Sequence, residues 1–178
     1  MAEVHPVIAV LPDEYTRGIG RVIVQWAFVE WILKTITYDL LKVDPKRGRV
    51  AVREPRPGEY IAMYRQLMRL NNIDKKFPLE NSLAALPKML SDRRAERDLI
   101  AHSVWAKHSE SGVYLIQRMS GNWAPDDSGR KISKREVPEG LVITPDALEG
   151  LRAEIERLGS VLMELHQGII QALALRDK

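Results

Sequence analysis

The stretch Arg93–Trp105 reads RRAERDLIAHSVW, and the spacing of its apolar residues changes part-way through. Up to His102 the pattern is helical; beyond it Val104 and Ala106 alternate with Trp105 and Lys107, the period of a strand. A helix is therefore expected to end at Ala101 or His102 and to pass directly into a hairpin. The same stretch carries Arg97 and His102 with four residues between them, and Asp98 directly after the arginine. Arginine keeps its charge while histidine exchanges a proton near neutral pH, so the pair suits holding a phosphate and moving a proton on it. The spacing alone arises by chance roughly 0.4 times per chain of this composition, so the surrounding sequence has to carry the reading.

Downstream, Val113, Leu115 and Gln117 alternate with Tyr114, Ile116 and Arg118 to complete the hairpin across a turn at His108–Gly112. Ser120–Gly129 reads as a polar loop and Lys131–Val137 as a third strand. Thr144-Pro145-Asp146 then starts a helix, with a capping hydroxyl, a proline in the first turn and an acid at the positive end of the dipole. Leu148, Leu151, Ile155, Leu158, Leu162, Leu165, Ile169 and Ala172 extend it over 145–175, with Gly159 and Gly168 as candidate bends or close crossings. Two readings stand for this stripe: a core helix, or a seam between two copies.

Upstream, residues 1–17 carry Pro6 and Pro12 without a sustained period and read as an extended arm. From about Gly20 to Lys42, Val22, Trp26, Val29, Leu33, Ile36 and Leu40 form one helical stripe. Glu30 lies about 60° from the centre of that stripe, so it either reaches water at the edge or meets a cation such as Arg97, Arg94 or His102. Residues 43–58 read as a linker, broken by three prolines and two glycines and charged by Lys46, Arg47, Arg49, Arg53 and Arg56. Such a loop is either simply solvated or follows a nucleic-acid backbone. Tyr60–Leu70 is a second helix stopped at Asn71-Asn72; Pro78 opens a third, which Pro87 should interrupt, and a fourth runs from Lys88 to the motif.

With 178 residues, 45% of them apolar, the chain suits one domain with a sizeable core. A net charge of +3 does not by itself mark a nucleic-acid binder. The absence of cysteine excludes disulfides, thiolate–zinc sites and a thiol nucleophile, and fits a reducing compartment. No apolar run reaches the roughly 20 residues that a bilayer needs, so a soluble cytoplasmic protein without a membrane partner is expected. Gly18 and Gly20 precede no third glycine of a dinucleotide fingerprint, no phosphate-binding loop motif occurs, and His5, His108 and His166 lack ligand spacing. No cofactor and no metal are expected.

The whole resembles the HEPN family, the nucleotide-binding family named from higher eukaryotes and prokaryotes. The resemblance rests on R-D-x-x-x-H at Arg97, Asp98 and His102 near the end of a late helix, on an earlier helix carrying the acid Glu30, and on the long closing helix. It implies a mainly α fold: a HEPN-like helical bundle over 18–178, with a small antiparallel insert of about three strands at 103–137 between the motif helix and the C-terminal helix. It also implies a metal-independent ribonuclease that acts as a homodimer on single-stranded RNA and leaves 2′,3′-cyclic phosphate ends. His102 would be the acid or base, Arg97 would hold the developing phosphoryl charge, and Asp98 and Glu30 would orient them. Arg97 and His102 lie about 140° apart on a straight helix, so a shared site needs the helix end or a second subunit. Arg94 is a substitute for Arg97, and Arg47 and Arg49 would bind substrate. A toxin or defence role, with an antitoxin or regulatory protein as partner, would fit that setting. Other members that it resembles are non-catalytic modules for RNA or protein; there Arg97 forms a salt bridge and His102 caps a helix C-terminus.

Overall fold

The computed structural model describes residues 4–6, 11–52, 55, 57–73, 80–108, 114–117, 122–125, 131–134 and 141–176. The architecture is mainly helical. Helix α1 (Asp13–Leu41) and helix α5 (Pro145–Arg176), of 29 and 32 residues, pack along one another and form its spine. The stripe read from the sequence is the face that α1 buries, with Val22, Trp26, Val29, Leu33, Ile36 and Leu40 all in the core. Ile155, Leu158, Leu162, Leu165, Ile169 and Ala172 of α5 meet it in the same cluster, so within one chain this stripe is core. Gly18 permits the close approach: an added Cβ would lie 2.9 Å from Leu148 Cδ1. Gly159 is buried beside Phe28, inside a helix that runs on unbroken. By length and composition α5 is the one helix among the described residues able to span a bilayer, but its stripe is the core face just described.

Helix α1 begins seven residues before the expected start, taking Asp13 and Glu14 into its first turn, where acids favour the positive helix end. The expected arm is therefore shorter than 1–17, and part of it is strand β1 (Val4–Pro6). The expected linker also holds structure. Asp44 accepts from the backbone N–H groups of Lys46 and Arg47, and with Pro45 at the first position it starts helix α2 (Pro45–Ala51). Arg53 and Arg56 lie outside the described residues.

Helix α3 (Pro57–Leu70) stops where Asn72 takes a left-handed conformation, φ 55°. Pro87 does not divide the next helix. Helix α4 (Glu80–His102) passes through it, because Leu83, Leu86 and Leu90 on both sides are fully buried, which offsets the hydrogen bond that proline cannot donate. The expected start at Pro78 lies outside the described residues.

The helix-to-strand switch occurs where the period changes. Strand β2 (Val104–His108) pairs antiparallel with β3 (Tyr114–Gln117), and β1 and β6 (Leu141–Val142) add on the outer sides, giving the order β1-β2-β3-β6. The hairpin turn lies outside the described residues. The expected third strand forms at β5 (Lys131–Lys134) but pairs elsewhere, with β4 (Asn122–Pro125), inside the stretch expected to be loop. The N-terminal strand and β6 occupy the edges of the hairpin, so β5 pairs with its near neighbour in sequence. A second cluster of Tyr15, Ile100, Trp105 and Leu148 fixes the sheet to the helices.

Candidate functional site

Two anchors set the motif's geometry. Ile100 and Trp105 are buried with Leu148, and Tyr15 meets Trp105 edge to face with ring centroids 5.9 Å apart. Between these anchors α4 ends, and Ala101 and His102 are left exposed. His102 has no hydrogen-bond or ion-pair partner among the described residues. As the last residue of α4 it occupies the end where a cation is favoured by the dipole.

Arg97 faces the other way, into the α1–α4 interface. Its Nη1 donates to Asp98 Oδ1 at 2.7 Å, its Nη2 lies 3.9 Å from Glu30 Oε1, and its guanidinium carbon sits 5.9 Å from the centre of the Trp26 ring. The Trp26 indole N–H donates to the same Glu30 oxygen at 2.6 Å. Cation, ring and two carboxylates thus form one cluster, in which ring and carboxylates together offset the desolvation of an arginine side chain only 22% exposed. Glu30 lies at the edge of the stripe and reaches water, its side chain 46% exposed, and there it also meets Arg97. Arg94 is half-exposed, and its Nε lies 3.4 Å from Asp98 Oδ2.

The structure therefore brings together Arg97, Asp98, Glu30 and Arg94. It does not bring His102 to them: no hydrogen bond or ion pair joins His102 to Arg97, in keeping with their angular separation on a straight helix. Arg47 is exposed and lies 3.3 Å from Asp44 in the first turn of α2.

Arg49 has a different setting. It lines a cavity of about 610 Å³ between α1, α2 and α3, together with Trp31, Lys34, Tyr38, Asp39 and Tyr60. Glu30 lines it as well, so the cavity adjoins the Arg97 cluster. Sequence reading missed these aromatic residues and Asp39. A signal was present: Phe28 and Trp31 are large rings outside the buried stripe of α1, which leaves their place in the fold open. His166 also has a partner that spacing does not reveal, its Nε2 lying 2.6 Å from Asp39 Oδ2.

No family model, curated protein or solved structure matches the chain. Function therefore rests on the geometry. Among the described residues no group of three or more His, Asp or Glu side chains is arranged to hold a metal ion.

Proposed function

We propose that the protein is a HEPN-like helical module that binds RNA, with Arg97 acting within one chain as a structural cation. The observation that carries this reading is the face presented by α2. Lys46, Arg47 and Arg49 stand exposed on seven residues, and Arg49 borders a cavity walled by Trp31, Tyr38 and Tyr60. Cations beside an exposed ring, here Trp31, suit a single strand, whose phosphates are neutralised while its bases stack. The division of the motif favours binding over cleavage by one chain, since Arg97 is engaged by carboxylates and His102 points elsewhere.

The test is fluorescence anisotropy of a labelled, structureless single-stranded RNA at two salt concentrations. Saturable binding is expected, with a salt dependence that flattens when Arg47 and Arg49 are both changed to Ala. Binding unchanged by that double substitution would refute the assignment.

A second reading is favoured by one observation, the exposed ring of His102, which has no partner among the described residues. In a homodimer that ring would be free to meet groups of a second copy, giving a metal-independent ribonuclease with Arg97 or Arg94 holding the phosphoryl charge. Incubating RNA with the protein in EDTA and analysing the product ends tests it: 2′,3′-cyclic phosphates that vanish in His102→Ala support cleavage, and equal degradation by both proteins refutes it.

A further inference from the structure

We propose that the cavity between α1, α2 and α3 binds a single nucleotide, its base against Trp31 and its phosphate on Arg49. The proposal rests on the RNA-binding reading and deepens it by naming the unit recognised. The volume, about 610 Å³, falls within the roughly 300–1,000 Å³ of pockets that enclose small ligands.

The charges lining the cavity select for an anion. Of its two acids, Glu30 already accepts from the Trp26 indole N–H at 2.6 Å and faces Arg97 at 3.9 Å. Asp39 is paired with His166 at 2.6 Å. Of the two cations lining the cavity, Lys34 and Arg49, Arg49 has no ion pair among the described residues, so its charge is open to a ligand, and its planar fork can grip two phosphate oxygens.

The rings select for a flat partner. Trp31 is 54% exposed, an unfavourable position for so large a side chain, and it is stacked on Phe28 with centroids 5.7 Å apart and planes 19° apart. Phe28 thus fixes the orientation of the indole, which lowers the entropy lost when a base stacks on it. The backbone that carries Arg49 is fixed as well, because α2 is capped by Asp44 and seated on α1 through Gly48, whose place against the Tyr38 ring has no room for a Cβ. A bare phosphate would leave the rings unused, and an uncharged ring would leave Arg49 unpaired. A nucleotide uses both.

The test is calorimetric titration with adenosine 5′-monophosphate, adenosine and inorganic phosphate, beside anisotropy with a labelled single-stranded RNA. The monophosphate is expected to bind at least about tenfold more tightly than adenosine or phosphate. Trp31→Leu and Arg49→Ala should each weaken it at least about tenfold, a stacked base being worth roughly that much or more, while circular dichroism and melting temperature hold. Should Trp31→Leu not fold, Phe28→Leu, which removes only the ring behind the indole, takes its place with a smaller loss expected. Displacement of the monophosphate by RNA identifies the nucleotide as part of a strand; binding without displacement identifies a free nucleotide as the occupant. Unchanged affinity in both variants overturns the proposal. RNA bound without any binding of the monophosphate overturns it while leaving the RNA reading intact, and binding of neither overturns both.

Discussion

His166 on α5 and Asp39 on α1 meet at 2.6 Å across 127 positions of sequence, tying the two longest helices together at the wall of the cavity. The imidazole is buried and Asp39 is 40% exposed on its side chain, so solvent screens part of the contact. Asp39→Ala should cost about 1.5–2 kcal/mol in urea denaturation, the lower part of the range for hydrogen bonds to charged groups. In a double-mutant cycle with His166→Ala, a coupling of about 1 kcal/mol is expected. Additive losses would mean that the contact contributes nothing beyond each side chain's own packing.

Arg97 and His102 should separate cleanly in stability measurements. Arg97→Ala leaves Glu30 without its cation and Asp98 with Arg94 alone, and uncovers Trp26, so a loss of about 1–3 kcal/mol is expected; Arg97→Lys should recover part of it, keeping the charge without the planar fork. His102→Ala removes an exposed ring without a partner among the described residues and should shift stability by less than about 0.5 kcal/mol. A loss at His102 as large as that at Arg97 would contradict the division of the motif.

That division also separates what the sequence shows from what it hides. The change of period at His102 locates the junction of α4 and β2, because burial of Ile100 and Trp105 requires it. The stripes of α1 and α5 are legible for the same reason: apolar periodicity records which face is buried. Pro87 misleads because local backbone preference is overridden by buried leucines on either side of it. The strand pairing of β5 and the Asp39–His166 contact are set by tertiary neighbours, and residues far apart in the chain carry no local pattern to announce them. At the candidate site, helical phase places Glu30 at the edge of the stripe but leaves Arg97, Arg94 and His102 open as its partner, and the packing of α4 on α1 selects Arg97. The cavity is not legible, since it depends on α2, which lies in a stretch whose prolines and glycines read as a linker.

Gly48 tests how α2 is seated. A Cβ there would clash with Tyr38 Cδ1, so Gly48→Ala forces the ring to turn or α2 to lift. Alanine adds up to about 1 kcal/mol of helix propensity, but overpacking costs typically 1–3 kcal/mol. A small net loss of stability is expected, with a larger loss of adenosine 5′-monophosphate affinity because Arg49 moves with α2. Unaltered affinity in calorimetry would show that the position of α2 does not matter to the cavity.

Glu96, one residue before Arg97, provides a pH test of the motif helix. Burial raises its carboxyl above the ordinary glutamate value; Arg93 opposes the shift, while Glu154 and Asp92 add to it. The folded protein therefore holds this proton more tightly than the unfolded chain does. Glu96 thus contributes no penalty below the unfolded value, and its penalty grows as pH rises through that value to the raised folded one, then stays constant. Glu96→Gln removes the ionisation. Melting temperatures of the two proteins should coincide at about pH 3 and diverge by pH 7 with the variant higher, by a modest amount because the Glu96 side chain is 45% exposed. Taking the difference between the two proteins cancels the titration of the carboxylates that do not interact with Glu96. A difference that is constant with pH, or that favours the wild type at neutrality, would mean that the Arg93 ion pair outweighs the burial of the carboxyl.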